Sequence, residues 1–137
     1  GDPRLESLPL SISTKEIKLK LAKYPVDSSD IFLFHKTTNR EIYDRARKEV
    51  FDCDDVLLFN ERGQITETSI ANIFLEKEGL LFTPPVECGL LAGTLRASML
   101  KKEEANEKIL TLDDLFIADR IFVGNSVRGL QVANLIK

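Results

Sequence analysis

The stretch DVLLFNERGQITETSIANIFLEKEGLLFTPP, residues 55–85, decides the architecture. Asp55 to Asn60 is an apolar run of strand length, and Asn60-Glu61-Arg62-Gly63 follows as a turn in which Gly63 can take a positive φ. Past an irregular Thr66-Glu67-Thr68-Ser69, Ile70 to Glu76 reads as a second strand. Lys77-Glu78-Gly79 then turns the chain into Leu80-Leu81-Phe82-Thr83, which stops at Pro84-Pro85. Successive antiparallel strands are the simplest arrangement, so the centre of the molecule is a sheet.

Upstream, Glu16-Ile17-Lys18-Leu19-Lys20-Leu21 alternates polar and apolar residues as a half-buried strand does. Ser13-x-x-Glu16 also fits a capping box opening a helix, and the strand is the preferred reading. Tyr24-Pro25 breaks the pattern, and Ile31-Phe32-Leu33-Phe34 is a short strand-like run that ends at His35-Lys36. Thr38-Asn39-Arg40-Glu41 matches a capping box, and Ile42, Ala46 and Val50 recur at helical spacing, which predicts a helix over about 39–49. Downstream, Gly93-Thr94 opens a helix through about Lys102, with Lys101-Lys102 near its end, where cations suit the dipole. Lys108-Ile109-Leu110 reads as a strand, Thr111-x-x-Asp114 caps a short helix, and Arg120 to Val123 forms another strand. Helices and strands are thus mixed throughout, with hairpins and crossovers both required.

Composition narrows the function classes. The chain has 137 residues, enough for one domain with its own core, and 43% hydrophobic with 30% charged residues is ordinary globular usage. With 19 Lys+Arg against 22 Asp+Glu, net charge −3, no basic excess exists to hold nucleic acid or an anionic membrane. No apolar run approaches membrane-spanning length. Cys53 and Cys88 lack metal-ligand spacing and fit two reduced thiols of a cytoplasmic protein. The single histidine, His35, stands beside a lysine rather than a nucleophile, which argues against triad hydrolysis.

Four features carry chemical potential. Lys36, at the end of an apolar strand and before a capped helix, can be partly desolvated toward the reactive free amine that Schiff-base chemistry needs, although its position also fits a solvated loop lysine. Glu67 lies in an uncharged, apolar-flanked stretch; it either points outward from a strand, which position alone favours, or is paired inside. Gly93-Thr94-Leu95 starts a helix whose free N–H groups suit a phosphate. Phe122-Val123-Gly124-Asn125-Ser126 is a strand running into small polar residues, equally compatible with an ordinary turn.

Taken together and in order, these stretches resemble the class IV aminotransferases, the pyridoxal-phosphate enzymes of fold type IV. The elements that carry the resemblance are His35-Lys36-Thr37-Thr38-Asn39-Arg40, Glu67 followed by Asn72-Ile73-Phe74, Thr83-Pro84-Pro85, Gly93-Thr94-Leu95-Arg96 and Phe122 to Ser126. The Phe32-to-Arg40 run is most similar to aminodeoxychorismate lyase, including the lyase part of fused para-aminobenzoate synthases. The resemblance implies an α/β fold with a mixed sheet or pseudo-barrel and flanking helices, the large C-terminal domain of that fold type. It assigns Lys36 to holding pyridoxal phosphate and moving protons, and Glu67 to the pyridine nitrogen. It also assigns the Gly93, Thr94 and Leu95 amides to the phosphate, with Asn125 and the adjacent Ser126, and makes Arg40 a candidate for a substrate carboxylate.

The expectation is therefore a single cofactor-binding domain over 1–137, with 1–14 leading into it, that releases pyruvate from aminodeoxychorismate to give para-aminobenzoate for folate synthesis. A branched-chain or D-amino-acid aminotransferase domain and a non-catalytic fragment are the alternatives. The resemblance further implies a homodimer, a small-molecule substrate, and an N-terminal domain or fused synthase upstream that supplies part of the pocket. No metal, nucleic acid or membrane is expected.

Overall fold

The computed structural model describes residues 13–30 and 41–136. The strand-like run at 31–34, Lys36, Arg40 and all of the capping box at 38–41 except Glu41 lie outside them. The described chain builds strands β1 (Ser13–Leu21), β2 (Asp55–Phe59), β3 (Ile65–Thr68), β4 (Asn72–Lys77), β5 (Leu80–Thr83), β6 (Asn106–Glu107), β7 (Arg120–Asn125) and β8 (Gly129–Leu135). Helices α1 (Glu41–Lys48), α2 (Thr94–Lys101) and α3 (Leu112–Ile117) lie between them.

The strands form one sheet in the order β3-β2-β1-β8-β7-β4-β5-β6, and a further β3–β4 pairing closes six of them into a barrel. β1 runs parallel to both β2 and β8, whereas β2–β3, β3–β4, β4–β7 and β7–β8 are antiparallel. This is the mixed pseudo-barrel expected of the fold, with β5 and β6 continuing outward from β4.

Alternation sorts the side chains. In β1, Ile17 and Leu19 are buried and Glu16 and Lys18 exposed. They join Leu57, Ile65, Ile73, Leu75, Val123 and Ala133 in a single core cluster drawn from most of the barrel strands. β2 is buried on both faces, which explains its unbroken Val56-Leu57-Leu58: Leu57 packs in that cluster, while Val56 and Leu58 pack with Ala22, Val26 and Tyr43 under α1. Phe74, Phe122, Leu81, Met99 and Leu130 form a third cluster against α2.

Several expectations shift. Most of the stretch 66–69 is strand: Ile65 to Thr68 forms β3, paired with β2 at Ile65 and Thr68 across a register irregularity and with β4 at Glu67. The second strand starts at Asn72 rather than Ile70, because the Thr68 hydroxyl accepts from the amides of Ile70 (3.3 Å) and Ala71 (2.9 Å) and turns the chain. The strand expected at 108–110 is instead the short β6 at Asn106–Glu107, beside β5. Of the helix expected over about 39–49, the described residues form Glu41–Lys48, and 39–40 lie outside them. β8 was not foreseen, as Gln131 and Asn134 dilute its alternation, yet it lies between β1 and β7. Gly63 does take a positive φ, 72°, and Thr111 and Asp114 form the expected capping box on α3.

The Thr-Pro-Pro motif acquires a physical meaning here. Continuing the β4–β5 register, Leu75 to Phe82, brings Ile73 opposite Pro84, which has no N–H to donate. The Thr83 hydroxyl supplies the missing donor to the Ile73 carbonyl at 2.8 Å. The chain can then leave the sheet without orphaning a buried acceptor and run toward the segment before α2.

Candidate functional site

At one end of the barrel a cavity of about 310 Å³ is walled by Glu67, the turn from Ser69 to Asn72, Leu91 to Thr94, and Asn125 with Ser126. Five of the expected site residues, Glu67, Gly93, Thr94, Asn125 and Ser126, thus converge from β3, the start of α2 and the β7–β8 corner. One rung of the sheet runs beneath them: Glu67 pairs with Asn72, and Asn72 with Gly124.

Glu67 is 3% exposed, so the outward orientation suggested by its position alone is corrected. Burial of a carboxylate requires donors. The Tyr43 hydroxyl donates to Oε2 at 2.9 Å, and the Leu91 amide lies 3.3 Å from both oxygens.

Opposite, α2 begins at Gly93, whose N-cap position provides no side chain to occupy the free amides of the first turn, and that turn carries no acidic residue. An uncapped helix start of this kind is suited to an external anion. Gly93 has an ordinary extended backbone, φ −65° and ψ 155°, so conformational freedom is not what makes glycine necessary. Space is: a Cβ there would meet the Asn72 Oδ1 at 2.4 Å. Asn72 in turn donates to the Leu91 carbonyl at 2.9 Å, clamping the loop that precedes α2. The Leu95 side chain is not a cavity wall. It packs in the α2 cluster and reaches the place a Gly124 Cβ would occupy, seating α2 on β7, so what Leu95 offers to an anion is its backbone amide.

Asn125 turns out to be internally employed. Its Nδ2 donates to the Ile70 carbonyl at 2.9 Å, and its Oδ1 accepts from the amides of Val127 and Arg128 at 3.0 and 2.7 Å. It shapes the corner on which the exposed Ser126 stands.

Sequence reading missed three contributors. Tyr43 was hidden inside the apolar stripe of α1, where only periodicity was counted. Asn72 fell inside the strand expected over Ile70 to Glu76. Asp55, 4% exposed and counted only as part of the Asp55-to-Asn60 strand, accepts from the Ser69 hydroxyl at 2.5 Å with Arg47 Nη1 3.7 Å away, and so fixes the cavity's turn from below. For Asn72 and Asp55 the available signal was a polar side chain set against apolar neighbours; Tyr43 gave none.

A buried carboxylate at one side and an uncapped helix start with a glycine-shaped cradle at the other suit a ligand that carries a cationic ring nitrogen and a phosphate, which is the make-up of pyridoxal phosphate.

Several known proteins are similar to this chain. A Schizosaccharomyces pombe protein named "Putative aminodeoxychorismate lyase" is 31% identical over 145 residues, covering 99% of this chain and 63% of its own. The "Probable branched-chain-amino-acid aminotransferase" of Thermotoga maritima is 36% identical over 100 residues, 69% of this chain and 37% of its own. The crystal structure of a "Putative amino-acid aminotransferase" from Mesorhizobium loti superposes with a TM-score of 0.86 at 46% identity, covering 90% of this chain and 61% of that one. The chain therefore spans less than two thirds of the length of each of these relatives. The family model for amino-transferase class IV matches residues 5–136, and that family depends on pyridoxal phosphate. By this match over nearly its whole length, the chain belongs to the class IV aminotransferases.

Proposed function

We propose that this chain is the cofactor-holding domain of an aminodeoxychorismate lyase, which releases pyruvate from aminodeoxychorismate and leaves para-aminobenzoate for folate synthesis. The observation that carries the reading is Glu67, a buried, hydrogen-bonded carboxylate facing a cavity that ends at an uncapped helix start. When bound, pyridoxal phosphate supplies a pyridinium ring that draws electrons from the substrate's α-carbon. Glu67 keeps the proton on that ring nitrogen by presenting a negative charge to it. The Thr94 and Leu95 amides, at the positive end of α2, bind the phosphate together with the Asn125–Ser126 corner. Lys36 would hold the cofactor through its amine and move protons at the substrate carbons. Arg40 pairs with a substrate carboxylate.

The run Phe32 to Arg40 supports the lyase over amino transfer, as does the extent of the S. pombe match. The alternative, a branched-chain or D-amino-acid aminotransferase, is favoured by the Thermotoga relative. Under either reading the polypeptide that relatives possess beyond this span completes the pocket, and the active form is a homodimer in the cytoplasm. Assaying the full-length polypeptide with aminodeoxychorismate decides between them: pyruvate release without a keto acid is expected. Turnover that requires a keto acid and yields no pyruvate overturns the lyase assignment.

A further inference from the structure

Tyr43 joins two parts of the molecule that the sequence keeps apart. It lies on the first turn of α1, soon after the segment that holds Lys36, and its side chain is 3% exposed. The ring packs in the cluster formed with Ala22, Val26, Val56 and Leu58, while the hydroxyl passes beyond that apolar layer to donate to Glu67 Oε2 at 2.9 Å. Phenylalanine would fill the same space, so packing does not account for the hydroxyl; a buried phenol oxygen is retained where it has a partner.

We propose that Tyr43 is a positioning residue for Glu67, holding the carboxylate in its charged form and fixed orientation so that the proton it shares with a cofactor ring nitrogen stays on the nitrogen. The inference rests on the assignment of Glu67 to that nitrogen. A donor on Oε2 makes the carboxylate a weaker base, and the Leu91 amide acts in the same direction from the other side. Without the phenol, the carboxylate competes better for the shared proton, and the charge pairing across the cavity weakens. The ring nitrogen is the atom through which the effect is felt, so a ligand lacking it should be indifferent to residue 43.

The test uses the full-length polypeptide in four forms: wild type, Tyr43→Phe, Glu67→Gln and the double variant. Equilibrium affinity is measured for pyridoxal phosphate and for its carbocyclic analogue, in which C–H replaces the ring nitrogen. Tyr43→Phe is expected to weaken pyridoxal phosphate binding about tenfold, the size of a lost hydrogen bond to a charged group. It should leave the analogue's affinity unchanged and add nothing in the Glu67→Gln background. Equal losses for both ligands, or losses that add in the double variant, would mean that the phenol serves only packing and overturn the proposal while leaving the Glu67 assignment standing. An unchanged affinity ratio in Glu67→Gln overturns that assignment and the proposal with it. Should Tyr43→Phe fail to fold, site-specific fluorotyrosine at position 43 strengthens the donor without removing the ring, and the affinity ratio must then move the opposite way for the proposal to hold.

Discussion

At the scale of single residues, the site is governed by small differences in room and charge. Gly93→Ala changes no dihedral preference that the backbone violates, yet the new methyl would lie 2.4 Å from Asn72 Oδ1. Asn72 must swing away and surrender its bond to Leu91, so a loss of about 1–3 kcal/mol in urea unfolding is expected, as for overpacking. Cofactor affinity should fall with it, and Asn72→Ala in the same chain should restore most of the stability. Glu61 offers a second test, far from the cavity. Its carboxylate accepts from the amide and hydroxyl of Ser28 at 2.9 and 2.7 Å, and these bonds hold its pKa near 2, against an ordinary 4.5. A depressed acid stabilises the fold above its ordinary pKa and ceases to do so as pH falls from about 4.5 toward 2. In Ser28→Ala the amide bond remains while the hydroxyl is lost, so an NMR titration of Glu61 should show a midpoint above the wild-type value but still under 4.5. A midpoint that does not move would mean that the hydroxyl contributes nothing. None of this fine structure could be read from residue types: Glu67 seemed better placed outside because nothing local announces Tyr43, which approaches from another element.

At the scale of elements, what was legible followed from local chemistry. The alternation of β1, the unbroken apolar β2, the hairpin at Glu78 and Gly79 with φ of 53° and 79°, and the Thr111 cap all depend on neighbours a few positions away. What escaped depends on distant partners. β3 is polar in composition and becomes a strand because β2 and β4 flank it, and β8 is stabilised by β1 from the opposite end of the chain. The exit from β5 is the most testable case. Thr83 is fully buried, and its hydroxyl is the donor to Ile73 that Pro84 cannot be. Thr83→Val preserves shape and strands a buried carbonyl, which should cost about 1–3 kcal/mol by urea unfolding. Thr83→Ser should recover much of that loss despite its smaller side chain. If valine were neutral, the motif would owe its presence to packing instead.

At the scale of the whole molecule, closure of the barrel explains why a site can exist at one end of it. Buried residues from most of the barrel strands meet in a common cluster, so the strand ends are held against one another rather than splayed. The clearest result of that closure is the rung joining Glu67, Asn72 and Gly124. Two interstrand steps, about 10 Å along the sheet, separate β3 from β7. The step is set by backbone hydrogen bonds and cannot be adjusted by side-chain substitution. If Glu67 and the corner after β7 hold a ligand as proposed, the sheet acts as a caliper whose jaws they form, and it selects ligands by length before any side chain reads their chemistry. Pyridoxal, which lacks the phosphate, should bind at least tenfold more weakly than pyridoxal phosphate in equilibrium dialysis, since it reaches one jaw alone. Added inorganic phosphate should recover part of the difference by occupying the other. Variation of substrate choice on this frame is then confined to the loops around the caliper, because its opening belongs to the sheet itself.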